Sequence, residues 1–346
     1  MSRFSTSTSH VLAAAPPDET ALSQDQRKQL FSGKFPTDFS GELITMRTTR
    51  AEYHKLWDAF SQMPAKMKRS VSLDFNEELS TTAVSQRETP IHQSVIGQIS
   101  YQVRNLLAPN AAQFYLWGNT KIAMKSSDPD LQMLWQTDSG RLRVFAVAVA
   151  FSQKSEDAEA RVKALLRDTT VRAALMIDVN EEPSYKNPLL VEENIELYKE
   201  NMKRYKSKQK TQLDEFETLA DRYAQGRPPF SPIFVYGLLW TGELTAAVQV
   251  FAKDPTTGEP VQKTDRITFF GNPKPREAWE PKPRYEEHPS LNLKISDFVP
   301  LSDGIYKREL TLDWNELRRD LTGARLQLAW ERYLFALRGL EKNAQL

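Results

Sequence analysis

The strongest fold signal in this chain is the run Val144-Phe145-Ala146-Val147-Ala148-Val149-Ala150-Phe151. Every residue in it is apolar, as is typical of a central strand that is covered on both faces. A charged segment, 155–167, follows, and its apolar residues recur at helical spacing. A second apolar run, Ala173 to Val179, comes next. The pattern predicts one strand–helix–strand unit over 144–179.

Outside this unit the sequence predicts further helices and several short strands. An apolar stripe from Ile91 to Leu107 is typical of a helix. Strand-like pieces follow at Gln113 to Trp117 and at Thr120 to Met124. Near the C-terminus, Asp313 and Glu316 have the spacing of a capping box at the start of a final helix. These elements predict an α/β protein.

Composition limits the chemistry. The 346 residues carry a net charge of +1, so any attraction to nucleic acid has to come from a local patch. There is no cysteine, which excludes disulfides and thiolate zinc sites and fits an intracellular protein, cytoplasmic or nuclear. No apolar run approaches the ~20 residues of a membrane helix, so no membrane partner is expected. Motifs for phosphate-loop, dinucleotide and α/β-hydrolase chemistry are absent.

The chain divides into three predicted regions. Residues 1–40 are polar, carry Pro16-Pro17 and are predicted to be a disordered tail. Residues 41–225 form the predicted core, which ends in one long charged helix from Val191 to about Ala224. Residues 226–346 are predicted to form a β-rich extension and the final helix, packed on the core.

The end of the apolar run resembles a known group of proteins. The string Ala148-Val149-Ala150-Phe151-Ser152-Gln153 is similar to the Glu-Val-Ser-Tyr-Ser-Gln strand end of fungal proteins of uncharacterised role with a PD-(D/E)XK, or restriction-endonuclease-like, core. Further pieces resemble the same group, among them Asp130 after a proline, 171–178, 240–243, 293–298 and 312–314. The similarity spans about 85–335. It implies a central mixed sheet flanked by helices, with a β-rich C-terminal extension.

The resemblance also implies a set of site residues. In PD-(D/E)XK nucleases an aspartate and a glutamate on neighbouring strands hold a divalent ion, here Mg²⁺ or Mn²⁺. The ion polarises the scissile phosphate and helps to deprotonate a water, while a lysine steadies nearby charge. The implied roles are metal ligand for Asp130, orienting or weakly ligating group for Gln153, and charge stabiliser for Lys163. Ala148 stands where the family has its glutamate.

The alanine at position 148 predicts little metal binding, because the remaining residues supply too few charged oxygens for a hard divalent cation. The chain is therefore expected to be a degenerate or inactivated metal-dependent nuclease, and any surviving activity would be that of a Mg²⁺-dependent phosphodiesterase. The sequence leaves open whether the alanine is natural or introduced. Ordinary structural roles also stay open, since a Pro-Asp dipeptide is most often a turn or cap and a helical lysine is usually solvated.

The predicted long helix carries a basic stretch formed by Lys199, Lys203, Arg204, Lys206, Lys208 and Lys210. Such a stretch could track the phosphate backbone of DNA or RNA, because each contact releases a counterion. Acidic residues flank the stretch closely, so a solvated helix with ion pairs explains the pattern as well.

A different class of function remains open: a non-enzymatic, effector-like interaction or scaffold protein that uses the nuclease fold as a platform for a protein partner. In that case the surface around Asp130 is expected to be closed by apolar side chains, without nucleic acid binding. A third reading makes 228–312 a separate β-rich binding module. The sequence does not indicate an oligomeric state.

Overall fold

The computed structural model describes residues 20–36, 39, 43–62, 71–76, 80–85, 89–108, 113–118, 129–138, 140–151, 155–205, 211–273, 283–299 and 307–343. Its strands, in chain order, are β1 (Leu43–Arg47), β2 (Ser72–Asn76), β3 (Thr81–Ser85), β4 (Phe114–Gly118), β5 (Leu131–Thr137), β6 (Gly140–Phe151), β7 (Ala173–Glu182), β8 (Ile233–Val235), β9 (Leu238–Thr241), β10 (Glu243–Lys253), β11 (Pro260–Gln262), β12 (Ile267–Phe270) and β13 (Arg284–Tyr285). Its helices are α1 (Gln24–Phe31), α2 (Arg50–Ser61), α3 (Pro90–Leu107), α4 (Ser155–Asp168), α5 (Glu192–Tyr205), α6 (Gln212–Ala224), α7 (Ile295–Phe298) and α8 (Trp314–Asn343).

The central sheet of the described chain is mixed and has eight strands. Seven follow the order β13-β12-β10-β7-β6-β5-β4, and β11 pairs with β10. β5 and β6 form an antiparallel hairpin, whereas β6 and β7 are parallel and are joined by α4. The predicted strand–helix–strand unit is present, and the predicted fold class, a central mixed sheet flanked by helices with a long final helix, is confirmed.

β6 contributes apolar side chains to both faces of this sheet. Val147 and Val149 pack into a core that includes residues of α3 and α8. Ala146, Ala148 and Ala150 belong instead to a cluster with the buried face of α4. Alternate residues of a strand point to opposite faces, so burial on both sides requires a run that is apolar throughout.

Two predicted features of the chain are wrong. Residues 24–31, within the predicted disordered tail, form α1, which begins with a capping box at Ser23. The predicted helix over 191–224 is two helices, α5 and α6. Thr211 has an extended backbone and caps the second of them, which interrupts the helical path. Residues 206–210 lie outside the described part of the chain, as does the predicted strand 120–124.

Region 228–312 is not independent of the core. β10 pairs with β7 in an antiparallel register that runs from Glu243 opposite Glu182 to Ala252 opposite Ala173. It is therefore an integral strand of the central sheet, which corrects the reading of this region as a separate module. α8 contacts both α3 and β9. Among the described residues, no helix has both the length and the apolar content that a membrane crossing requires.

The capping box predicted at the start of α8, from Asp313 and Glu316, is formed only in part. Asp313 Oδ1 accepts hydrogen bonds from the N–H groups of Asn315 and Glu316, at 3.0 and 3.1 Å. The Asp313 N–H, however, donates to Gln102 Oε1 of α3 (2.6 Å), while Glu316 pairs with Arg319. The cap therefore also ties α8 to α3.

Candidate functional site

Asp130 lies directly opposite Ala148, at the point where β5 begins to pair with β6. The hairpin register aligns Leu131 with Val147, which sets the preceding residue against Ala148. The Asp130 N–H donates to the Val147 carbonyl (3.0 Å), and Asp130 Oδ2 accepts from the Val149 N–H (2.7 Å). Asp130 thus bonds the two residues on either side of Ala148, and a second acid at position 148 would stand on the strand next to it.

A histidine of α3 holds the Asp130 carboxylate. His92 Nε2 lies 3.0 Å from Asp130 Oδ1, and both side chains are mostly buried. Burial raises the pKa of Asp130, but the charge and hydrogen bond of His92, the charge of Arg161 and the Val149 N–H together hold that pKa below its ordinary value. Asp130 is therefore ionised at neutral pH, and each of its two oxygens has a partner within the protein.

Ala148 is closed off from solvent beneath α4. Its side chain is 6% exposed and belongs to the same apolar cluster as Val162 and Met176. A glutamate at this position would add a carboxylate on the α4 face of β6, whereas alanine offers no oxygen. Ala150, further along the same face, is fully buried and offers none either.

The residues present do not fit Mg²⁺ or Mn²⁺. Both ions favour several oxygen ligands at once. Within the described ranges, no three His, Cys, Asp or Glu side chains are grouped so that they could hold a metal ion. Asp130 is the predicted metal ligand, yet its oxygens already contact His92 and the Val149 N–H.

Lys163 does not reach the point where Asp130 and Ala148 meet. Its Nζ pairs with Glu159 (2.7 Å) and lies 5.9 Å from the ring centre of Phe251 on β10. β10 is separated from β6 by β7, which puts it about 10 Å away at the usual strand spacing. The expected convergence of Lys163 with the other two positions is therefore absent.

Arg161 occupies the opposite flank of α4. Residues 161 and 163 lie on either side of the buried Val162, each about 100° around the helix from it. The charge of Arg161 is one of the causes that lower the pKa of Asp130, so Arg161 is the basic residue of α4 that acts on this site. The helical spacing in the sequence predicted both flanks of α4 but not which basic residue acts on Asp130.

A second polar cluster, which sequence reasoning missed, lies where β7 meets the start of α4. Asp178 is 2% exposed, and its Oδ2 accepts from Ser155 Oγ (2.6 Å) and from Arg266 Nε (3.0 Å). Its Oδ1 accepts from Asn180 Nδ2 (3.2 Å). The cluster fixes the first residue of α4 on the sheet. Its signal in the sequence was the one acid, Asp178, within the apolar run Ala173 to Val179.

The predicted basic stretch is only partly described, since Lys206, Lys208 and Lys210 lie outside the described residues, as does Gln153. Its three described members are exposed on α5, namely Lys199, Lys203 and Arg204. Lys199 pairs with Glu196 (2.8 Å), and further glutamates of the same helix are also exposed. The described part of the stretch is therefore a surface of mixed charge.

The candidate site thus consists of Asp130, His92 and Arg161 around an alanine at position 148. It contains an ionised carboxylate, an imidazole in contact with it, the charge of Arg161 acting on it and no second acid on β6. Comparison with models of protein families, with curated proteins and with solved structures found no match for this chain.

Proposed function

We propose that this chain is a pseudoenzyme built on a PD-(D/E)XK-like nuclease core, which has lost metal-dependent phosphodiesterase activity and retains nucleic acid binding. The observation that carries the proposal is that Asp130 bonds the two residues of β6 on either side of position 148. In a working site, two acids at these positions would share one divalent ion, which would polarise a phosphate and activate water. The mixed sheet with a helix between its parallel strands supports the same reading.

Charge explains why the metal would be lost along with the glutamate. A divalent ion needs several anionic or polar oxygens, and Ala148 provides none. The charges of His92 and Arg161 compensate the remaining carboxylate, Asp130. An ion entering this site would have to displace the His92 contact and would gain a single carboxylate in return.

Restoring the acid tests the nuclease part of the proposal. The Ala148→Glu variant of the full chain is expected to bind Mn²⁺ in a calorimetric titration and to cut labelled DNA or RNA when Mg²⁺ or Mn²⁺ is present. The parent chain is expected to do neither. Ala146→Glu is the matched control, because it places the same carboxylate on the same face of β6, opposite Gln132 instead of Asp130.

The outcome is decisive only if the variant folds, so its cooperative thermal unfolding is measured first. A folded Ala148→Glu protein that neither binds Mn²⁺ nor cuts overturns the nuclease reading. A gain of equal size in Ala146→Glu also counts against it. Adding Asp130→Asn to Ala148→Glu should abolish both properties, because one of the two acids is removed again.

Nucleic acid binding is the second part of the proposal. Arg161, whose charge acts on Asp130, and the exposed residues Lys199, Lys203 and Arg204 of α5 are the cations proposed for phosphate contacts. Fluorescence anisotropy with labelled DNA and RNA at two salt concentrations should show binding that weakens steeply with salt. Neutralising the three α5 residues should weaken it, whereas Lys28→Ala, at an exposed lysine of α1, should not. Absence of salt-sensitive binding removes this part of the proposal.

A non-enzymatic interaction protein is the second candidate function. It is favoured by the closure of the site, since Ala148 is buried under apolar residues and both Asp130 oxygens have protein partners. On this reading the fold is a platform for a protein partner. Nucleic acid binding would then be absent, and Ala148→Glu would gain neither metal nor activity, so the same experiments separate the two candidates.

A further inference from the structure

Two buried arginines of α8, Arg325 and Arg332, have very different surroundings. They are seven residues apart, about two helical turns, and therefore face the same side of the helix. Their exposed fractions are only 5% and 3%. Arginine is almost never buried to this extent unless it is paired.

Arg332 has a full set of partners. Its Nη1 and Nη2 donate to Oε1 and Oε2 of Glu181, at 2.6 and 2.7 Å. Nη1 also donates to the Trp240 carbonyl (3.0 Å), and the guanidinium lies 4.2 Å from the centre of the Tyr185 ring. The interior of this protein thus provides Arg332 with a carboxylate in bidentate geometry, the strongest common arrangement for arginine.

Arg325 has no such carboxylate. Its Nη1 donates to the Ser231 carbonyl, and its buried Nε has no hydrogen-bond partner in the described chain. Burial alone lowers the pKa of Arg325 to about 10, and no acid contributes to this shift. The side chain stays protonated at neutral pH, so its positive charge is buried with no acidic partner among the described residues.

The hairpin beside Arg325 leaves a second polar atom unsatisfied. Ser231 comes two residues before Ile233, the first residue of β8, which pairs with Thr241 at the end of β9. Thr241 is fully buried, and its Oγ1 has no hydrogen-bond partner among the described residues. Buried polar groups are ordinarily bonded, and both the Arg325 Nε and the Thr241 Oγ1 lack such a bond within the described chain.

We propose that Arg325 binds an oxyanion of the phosphate type, which enters between α8 and the segment 230–232. The ligand would be the counterion of Arg325, as the Glu181 carboxylate is the counterion of Arg332. Guanidinium carries five donors in a planar fork that suits phosphate and carboxylate oxygens, and the unused Nε is one of them. The site involves none of the residues of the candidate nuclease site and does not depend on that function.

Thermal unfolding of the full chain tests the proposal. Inorganic phosphate, a nucleoside monophosphate and acetate are each compared with sodium chloride at equal ionic strength, and inorganic phosphate is then titrated by calorimetry. The melting temperature of the parent chain is expected to rise with the logarithm of the phosphate concentration, because the ligand binds the folded state. A nucleoside monophosphate that acts at lower concentration than inorganic phosphate identifies a nucleotide as the source of the phosphate.

Variants test whether the response to phosphate depends on Arg325. Arg325→Met keeps an apolar stem and removes the charge, and it should bind phosphate at least about tenfold more weakly, the loss expected for one charge-assisted contact. Arg325→Lys keeps the charge without the fork and should retain part of the response. Arg319→Met removes an exposed arginine from the same helix and should bind phosphate like the parent chain.

Three outcomes overturn the proposal. If Arg325 serves only to bond the Ser231 carbonyl, Arg325→Met lowers the melting temperature and leaves any phosphate response unchanged. A parent chain that responds to neither phosphate nor the nucleoside monophosphate has no such site. A response confined to acetate overturns the phosphate assignment in favour of a carboxylate ligand.

Discussion

Glu181 and Arg332 form a buried, bidentate ion pair between residues 151 positions apart in the chain. Glu181 lies on β7 in the central sheet, and Arg332 lies in the second half of α8. Glu181 Oε1 also accepts the N–H of Gly242 (2.7 Å), just before β10. One carboxylate therefore connects the sheet, the turn between two strands and the last helix.

Glu181→Gln is expected to lower the free energy of unfolding by about 3 to 5 kcal/mol, because it leaves a buried guanidinium without its counterion. Urea denaturation of the parent and the variant measures the loss. The double replacement Glu181→Met with Arg332→Met should recover much of it, since neither buried charge is then left alone. A loss below about 1 kcal/mol in Glu181→Gln would show that the pair contributes no more than an exposed ion pair.

Asp130→Asn is expected to lower the free energy of unfolding at neutral pH by about 2 kcal/mol, the value of hydrogen bonds to a charged group. The pKa of Asp130 is below its ordinary value in the folded protein. Its contribution is therefore fully present above the unfolded-state pKa of about 4 and is lost as the pH falls through the folded-state pKa. Urea denaturation at pH 7 and at pH 3 should show the parent and the variant converging at the lower pH.

His92→Gln is the control for this pH dependence. The charge of His92 is the largest of the causes that lower the pKa of Asp130. In the His92→Gln background, the effect of Asp130→Asn should be smaller and should change less with pH. An effect of Asp130→Asn that is equal at both pH values, with or without His92, would mean that the carboxylate acts through packing rather than through charge.

The parts of the fold that were predictable are those with a local cause. The run 144–151 is apolar throughout because both faces of the sheet are covered at this strand. The apolar composition and the length of the run can be read directly from the sequence. The antiparallel pairing of the segment after Asp130 with β6 was not visible in the sequence, because it depends on contacts between distant strands. The choice between Arg161 and Lys163 was not predictable, because it depends on which strand lies beneath each flank of α4.

The break between α5 and α6 had a signal that the charge pattern concealed. Thr211 and Asp214 have capping-box spacing, and both halves of that box are formed. Charged residues on both sides of position 211 continue the polar pattern of a helix, so the sequence predicted one helix across this position. α1 was missed for a similar reason, since its capping box at Ser23 and Gln26 lies within a polar segment.

Gly271→Ala is expected to destabilise the protein by more than about 3 kcal/mol. Gly271 has φ +82°, and a Cβ there would overlap the Leu244 carbonyl oxygen and lie 2.8 Å from Thr245 Cα. The replacement therefore combines left-handed backbone strain of about 1 to 2 kcal/mol with a clash against the backbone of β10. Gly258→Ala is the matched control, because Gly258 has φ +76° and no atom within 4 Å of the added Cβ. Equal losses in the two variants would show that the close approach is unimportant.

We expect the replacement of Arg161 and the replacement of Lys163 to have different effects on the activity of the Ala148→Glu variant. In the Ala148→Glu background, Arg161→Ala should reduce metal-dependent cleavage by about 10²-fold or more, because it removes a positive charge that acts on Asp130. Lys163→Ala should change cleavage little, since Lys163 pairs with Glu159 over β10. Initial rates of cleavage at saturating Mn²⁺ measure both effects, and thermal unfolding shows whether each variant is folded. The reverse order, with Lys163→Ala the more damaging change, would return the charge-stabilising role to Lys163 and would require α4 to move when substrate binds.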